Sequence, residues 1–191
     1  MADVLRYGDK VHIKNGYNNW DGGYLDTCNH ATAPNSLYGV VTATTPHRGP
    51  GTGTWIIESA TGKAVGTEVE SCDVILLWNL YNNEGGYLDT NGHATKPSIY
   101  NVVTALKESR PADTLHWRIF ADTSDPKDFK VREGDVVHFL NGYNDVRGGF
   151  LDTCGHASGE GVKYAVSTTP YLNRDGNTGS WKISKANDQA L

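Results

Sequence analysis

One ten-residue motif occurs three times at equal spacing, and this repeat constrains the fold more than any other feature of the chain. GGYLDTCNHA begins at Gly22, GGYLDTNGHA at Gly85 and GGFLDTCGHA at Gly148, so successive copies start 63 residues apart. Each repeat ends on a tryptophan, at Trp55, Trp117 and Trp181. A fixed period of this length indicates a fold built from equal units that share one core.

Each repeat contains four short segments that are typical of β-strands. In the first repeat they are KVHIKN, GYLDT, YGVVTAT and TWIIES, which alternate apolar and polar residues or follow turn-forming Asn and Gly. The 22 glycines against 7 prolines fit many tight turns. No window of ten or more residues shows a convincing helical period. The sequence therefore predicts an all-β fold of twelve strands.

The equal size of the repeats also predicts how the strands close. Four strands cannot bury their own apolar face, whereas three units around a pseudo-threefold axis can, as a six-stranded barrel capped by three hairpins. We expect this β-trefoil arrangement to form a single domain over residues 1–191, with lobes at 9–59, 72–121 and 134–185. The repeated leucines and tryptophans are predicted to form its core.

The motif has the pattern G-x-(Y/F)-L-D-T and is followed, about thirty residues later, by a tryptophan. This pattern resembles the ricin-B-type and related β-trefoil lectins, in which each lobe carries a G-x-x-(L/V)-D stretch and a closing Q-x-W. The resemblance implies a β-trefoil fold and carbohydrate binding without catalysis. It also implies that the sugar-gripping carboxylates are Asp26, Asp89 and Asp152.

The chain departs from the lectin pattern in two respects. The glutamine of Q-x-W is replaced by Gly53, Leu115 and Gly179. No aromatic residue stands on the third strand of each lobe where the family's stacking residue falls, so the ring platform must come from elsewhere. The repeated histidine is similar instead to trefoil lectins that bind galactose-type sugars through Asp and His.

The chemistry of a sugar site selects the candidate residues independently of this resemblance. Hydroxyls require fixed acceptors, donors and a flat apolar surface for the C–H face of the ring. Strand alternation places Leu25 and Asp26 on opposite faces, so the carboxylate is expected on the outer side. The candidate residues are Asp26, His30, Asn18 and Tyr38 in lobe one, Asp89, His93, Asn82 and Tyr100 in lobe two, and Asp152, His156, Asn144 and Tyr164 in lobe three. Alternative aromatic surfaces are offered by Tyr17, Trp20, Tyr81 and Tyr143.

The repeated polar residues have possible roles other than sugar binding. Each aspartate could instead accept backbone N–H bonds in its own turn. Zinc sites need three or four ligands. Each copy offers an Asp and a His, and Cys28 and Cys154 would add a third ligand in two copies, but the second copy breaks the pattern, so no metal and no cofactor is predicted. A nucleophile drawn from Cys28, His30 and Asp26 would lie on one short loop without an oxyanion donor, and we therefore predict that the protein is not an enzyme. The odd number of cysteines, with no C-x-x-C pair, predicts free thiols.

Charge and hydropathy limit the partners. The net charge is −5 without a basic run, which argues against nucleic acid. The N-terminus has no apolar core of signal-peptide length, and no apolar segment is long enough to span a membrane. We therefore expect a cytoplasmic or non-classically secreted protein that does not insert into membranes. The strand VILLWN is apolar on both faces, which predicts that its outer side is covered by the N-terminal segment or by a homodimer contact.

The sequence thus favours a multivalent lectin for galactose- or N-acetylgalactosamine-type glycans. The alternative is a protein-binding β-trefoil, such as a fascin-like cytoskeletal module or a protease inhibitor. Such functions normally use one distinctive loop, whereas the motif loops of this chain are alike.

Overall fold

The computed structural model describes residues 1–187, and these contain twelve β-strands. The strands are β1 (Lys10–Asn15), β2 (Tyr24–His30), β3 (Tyr38–Ala43), β4 (Trp55–Ser59), β5 (Val74–Asn79), β6 (Gly86–His93), β7 (Tyr100–Ala105), β8 (Trp117–Ala121), β9 (Val136–Asn141), β10 (Phe150–His156), β11 (Val162–Thr169) and β12 (Trp181–Lys185). The all-β class and the four strands per repeat are confirmed.

Helical structure in the described part of the chain is confined to five short turns. They are α1 (Tyr17–Trp20) and α2 (Tyr143–Val146), with 3-10 turns at Tyr81–Asn83, Lys107–Ser109 and Ala112–Leu115. None of the helices within residues 1–187 is long and apolar enough to cross a membrane.

All twelve strands belong to one antiparallel hydrogen-bonded sheet. Ten of them form a closed circuit in the order β11–β3–β2–β1–β12–β9–β8–β5–β6–β7, which the pairing of Ser167 with Asn101 closes. The other two are each hydrogen-bonded to two strands of this circuit: β4 to β1 and β5, and β10 to β9 and β11.

The predicted six-stranded barrel with a separate hairpin cap is therefore wrong. The hairpins are part of the same sheet, because the first residues of β2, β6 and β10 continue the ladder from the strand before them. The joining pairs are Lys14–Tyr24, Trp78–Tyr87 and Leu140–Phe150. Only an Asn- and Gly-containing turn separates the two strands of each such pair. The backbone N–H and C=O groups after the turn therefore bond to the strand before it, and no separate layer forms.

The core holds the repeated leucines and tryptophans, as the sequence predicts. The three tryptophans are fully buried, and each indole Nε1–H donates to the carbonyl of its lobe's buried leucine at 2.9–3.0 Å. The pairs are Trp55–Leu25, Trp117–Leu88 and Trp181–Leu151. A buried indole needs such an acceptor for its single polar group, so the last strand of each lobe is fixed to the motif strand.

The doubly apolar strand β5 is covered from within the chain. Leu76 is buried in a small cluster with Ala105 and Leu115, against which Ala60 and Tyr87 pack. The cover of Leu76 is thus provided by residues between 60 and 115 and not by the N-terminal segment that the sequence predicts.

Candidate functional site

A β-bulge near the end of each motif strand brings the repeated histidine opposite a tyrosine. The register of β2 and β3 shifts between Cys28 and His30, so that His30 pairs with Tyr38. Asn29 lies in the left-handed region at φ 62°, which explains the Asn or Gly before each motif histidine. The equivalent pairs are His93–Tyr100 and His156–Tyr164.

Each histidine–tyrosine pair is completed by a tyrosine from another lobe. The two rings of the pair lie 5.2–5.3 Å apart between centroids. A second tyrosine stands perpendicular to the first at 5.3–5.4 Å. These tyrosine pairs are Tyr38–Tyr81, Tyr100–Tyr143 and Tyr164–Tyr17. The three sites are therefore shared between lobes.

The motif aspartates are buried inside the fold and do not lie on the outer side. Asp26, Asp89 and Asp152 have no exposed surface, so the expected outward orientation is wrong. The alternation argument assumed that solvent covers the second face of the strand. Instead, the loop after the hairpin lies over it, and the Thr27 N–H donates to the Thr52 carbonyl at 3.1 Å.

Each buried aspartate is paired with an arginine from this covering loop. The arginine Nε donates to the carboxylate Oδ2 at 2.8–2.9 Å, and Nη2 donates to the carbonyl of the residue after the aspartate at 2.7–2.9 Å. The pairs are Asp26–Arg48, Asp89–Arg110 and Asp152–Arg174. The three arginines are functional candidates that sequence reasoning missed.

Burial and ion pairing act against each other on these carboxyls. Burial raises the pKa of Asp26, Asp89 and Asp152 above the ordinary value, and the arginine hydrogen bonds offset part of this rise. The hydrogen bond to Asp26 raises the pKa of Arg48. Because each aspartate is enclosed and already paired, its role in the described structure is to hold the covering loop in place.

The repeated threonine joins neighbouring lobes through a buried asparagine. Thr27 Oγ1 donates to Asn79 Oδ1 at 3.2 Å, and the same oxygen accepts the Tyr81 N–H at 3.0 Å. Asn79 Nδ2 donates to the Thr52 carbonyl at 2.9 Å. The other two lobes repeat these contacts with Asn141 and Asn15. This network positions each second tyrosine against the site of another lobe.

The lobe-one and lobe-three sites are open cavities. A cavity of about 340 Å³, the lobe-one site, is lined by His30, Tyr38, Arg48 and Tyr81, among others. The lobe-three site, about 240 Å³, is lined by His156, Tyr164, Arg174, Tyr17 and Asp175, among others. The corresponding residues of the lobe-two site are His93, Tyr100, Arg110 and Tyr143.

The candidate asparagines lie elsewhere than the sequence predicts. Asn18, Asn82 and Asn144 are exposed and left-handed, with φ of 49–53°. Each follows the tyrosine that completes another lobe's site, so grouping them with their own lobe's histidine is wrong. Asn82 lines a different cavity, next to the lobe-one site.

Two of the three cysteines lie at the candidate sites. Within residues 1–187, no three His, Cys, Asp or Glu side chains are grouped in a way that could hold a metal ion. Cys28 and Cys154 line the lobe-one and lobe-three sites as free thiols, and lobe two has Asn91 at this position.

Comparison with known proteins identifies the fold. Neither a protein-family model nor a curated protein sequence matches the chain. An SDF2-like protein from Arabidopsis thaliana is similar in structure, with a TM-score of 0.74 and 14% identity over 95% of each chain. The S. cerevisiae protein O-mannosyltransferase Pmt1-Pmt2 complex bound to the sugar donor has a TM-score of 0.71 and 12% identity, covering 100% of this chain and 27% of that one.

A third similar structure is the binding domain of botulinum neurotoxin serotype D. It has a TM-score of 0.66 and 16% identity, over 99% of this chain and 45% of that one. At such identities the similarity concerns the fold alone. The fold is thus β-trefoil-like, and the finer assignment to ricin-B-type lectins stays a prediction.

Proposed function

We propose that the protein binds carbohydrate at three similar, shallow sites, each formed where two lobes meet. The observation that carries this proposal is the set of one histidine and two tyrosines found three times on the same kind of scaffold. In lobe one these are His30, Tyr38 and Tyr81. Packing alone would not require a histidine at the partly exposed end of each motif strand.

The chemistry of each site suits a sugar ring. Imidazole nitrogens and phenol hydroxyls can donate and accept hydrogen bonds to hydroxyl groups, and the aromatic faces can receive the apolar side of the ring. The charge of the arginine that lines the site is balanced by the paired aspartate, so the site favours an uncharged ligand. The lobe-one volume of about 340 Å³ lies at the lower end of the range of about 300–1,000 Å³ for small-molecule pockets, and the lobe-three volume of about 240 Å³ lies just below it.

Such small and open sites bind single sugars weakly, with dissociation constants on the order of 1 mM. Three of them on one rigid body increase the apparent affinity for a surface that carries many glycans. We propose galactose- or N-acetylgalactosamine-type sugars, on the basis of the repeated histidine and its likeness to trefoil lectins. The existence of this fold in a complex bound to a sugar donor and in a toxin's binding domain supports the general proposal.

We also propose that binding is not followed by a chemical step. A glycosidase needs a pair of carboxyl groups that reach the substrate. The motif aspartates are enclosed and committed to arginine, and Asp175 supplies a single carboxyl group to the described lining of the lobe-three site.

The test is a glycan array probed with the wild type and with His30→Ala/His93→Ala/His156→Ala. These histidines are exposed, so the triple variant should fold and lose binding. The control is Val65→Ser/Lys127→Ala/Glu160→Ala, which changes three exposed residues outside the sites and should bind normally. Absence of glycan binding by the wild type, or unchanged binding by the histidine variant, would overturn the proposal.

One observation favours a second candidate, a protein-binding surface. The loop after β11 carries Tyr171 and Leu172, which are 60% and 47% exposed, and Pro170 and Tyr171 border a groove with Pro97 and Ile99. If this loop serves a protein partner, Tyr171→Ser/Leu172→Ser will abolish capture of that partner while leaving glycan binding intact.

A further inference from the structure

A second cavity adjoins the lobe-one site. Its volume is about 510 Å³, and its lining includes His12, His47, Asn82 and Asn83. Pro50 lines both cavities.

The two cavities also divide consecutive residues between them. Arg48 and Gly49 line the lobe-one site, whereas His47 and Gly51 line the second cavity. In the same way, Tyr81 belongs to the first and its neighbours Leu80 and Asn82 to the second. The cavities therefore adjoin along this loop and turn, and they meet at Pro50.

The buried His12 presents a defined hydrogen-bonding group to this second cavity. Its Nδ1 lies 2.9 Å from the Gly53 carbonyl, which can only accept, so Nδ1 carries the proton. Burial lowers the pKa of His12, which keeps the ring neutral and leaves Nε2 as an acceptor. His47 stands perpendicular to it with ring centroids 5.1 Å apart.

In the other two lobes, the position equivalent to His12 holds either a histidine with both ring nitrogens bonded or an apolar residue. His138 of lobe three repeats the Nδ1 bond, to the Gly179 carbonyl at 2.8 Å, but its Nε2 is bonded to Asp122 Oδ1 at 2.5 Å. Lobe two has the buried Leu76 at this position of its first strand. Of the three matched positions in residues 1–187, lobe one's alone presents an imidazole to a cavity beside a sugar site.

We propose that lobe one binds an oligosaccharide of at least two uncharged sugar residues. The terminal residue occupies the lobe-one site, and the adjoining residue occupies the cavity of His12, His47, Asn82 and Asn83. The imidazole acceptor and the two carboxamides match hydroxyl groups, and within residues 1–187 no carboxylate lines this cavity. This inference rests on the proposed function and extends it, because it makes lobe one selective for chain length.

The experiment compares matched mono- and disaccharides by calorimetric titration. The probes are galactose with lactose, N-acetylglucosamine with chitobiose, mannose with mannobiose and glucose with cellobiose. His93→Ala/His156→Ala serves as the background, since it leaves the lobe-one site intact. We expect the disaccharide to bind this background protein at least fivefold more tightly than its monosaccharide.

Asn82→Gly and His47→Ala are then added separately to this background. Glycine keeps the left-handed backbone of Asn82, and each change removes about one hydrogen bond, so the disaccharide should bind about fivefold to tenfold more weakly and the monosaccharide unchanged. The matched control is Asn144→Gly, which makes the same change at the equivalent exposed, left-handed position of lobe three.

The outcomes separate the two levels of the proposal. Equal affinity for mono- and disaccharides, or a disaccharide affinity that Asn82→Gly and His47→Ala leave unchanged, overturns the second subsite while the lobe-one site stands. If no sugar of this panel and no glycan of the array binds the wild type, both the function and the subsite are refuted.

Discussion

Arg48 donates from Nε to Asp26 Oδ2 at 2.8 Å and from Nη2 to the Thr27 carbonyl at 2.7 Å. It thereby ties the loop after β3 to the motif strand β2 and forms part of the wall of the lobe-one site. The same arrangement in the other two lobes explains why an aspartate without exposed surface is kept in all three copies. Removing the aspartate side chain should therefore lower the stability of the fold more directly than it lowers ligand binding.

We therefore expect Asp26→Ala to destabilise the protein by about 3–5 kcal/mol, because Arg48 would be left without its buried partner. The measurement is urea unfolding followed by tryptophan fluorescence. Asp175→Ala, which removes an exposed carboxylate, is the control and should change the stability by less than about 0.5 kcal/mol. A similar loss for both variants would contradict a structural role for the buried pair.

The Asn79 network predicts an effect that crosses from one lobe to another. Asn79→Ala leaves the Thr52 carbonyl, the Thr27 hydroxyl and the Tyr81 N–H without their partner, and should cost about 3 kcal/mol. Chemical shifts of the His30 ring in lobe one should move, although Asn79 belongs to lobe two. Glu108→Ala, at an exposed position of lobe two, provides the comparison; unaltered His30 shifts in Asn79→Ala would argue against the network.

The shared sites predict which tyrosine serves which histidine. In the His93→Ala/His156→Ala background, Tyr81→Ala should weaken sugar binding about tenfold because it removes one wall of the lobe-one site. Tyr17→Ala should leave binding in this background unchanged, since Tyr17 completes the lobe-three site. Titration with the best glycan from the array measures both, and the opposite ranking would refute the assignment of the sites.

The Asp128–Arg132 pair predicts a loss of stability in acid. Hydrogen bonds from Arg132 lower the pKa of Asp128 to about 2. A carboxyl whose pKa is lower in the folded state stabilises the fold above its unfolded pKa, and this contribution disappears as the pH falls through the folded value. Between about pH 4 and pH 2, the wild type should therefore lose more stability than Asp128→Asn.

Urea midpoints measured across this pH range test the prediction. The curves of the wild type and Asp128→Asn should converge as the pH approaches 2. Asp145→Asn, which changes an exposed carboxylate, should follow the wild type throughout. Parallel curves for the wild type and Asp128→Asn would show that the pair does not titrate in this way.

The repeat period was sufficient to predict the strands, because every lobe places its apolar residues and turn-forming residues at the same intervals. It was not sufficient to predict how the sheet closes. That depends on whether Tyr24 continues the ladder of β1 across a short turn, which is a matter of backbone direction that side-chain patterns do not record.

The site was predicted in part for a similar reason. His30 is repeated in the motif and Tyr38 in the segment after it, so both were candidates before the structure was known. Strand alternation predicted the wrong face for Asp26, because it cannot show that a loop folds back over the second face of the strand. The signal for the arginines was present, since Arg48, Arg110 and Arg174 follow the motif aspartates by 22, 21 and 22 residues. It was hidden by the different sequences that surround each arginine.

The sharing of tyrosines has a consequence for how many sites a given number of lobes can make. Lobe two completes the site of lobe one, lobe three that of lobe two, and lobe one that of lobe three. A single lobe would hold no complete site, and an open pair would hold only one. Closing the ring with the third lobe raises the number from one to three, so ring closure contributes to binding capacity as well as to the core.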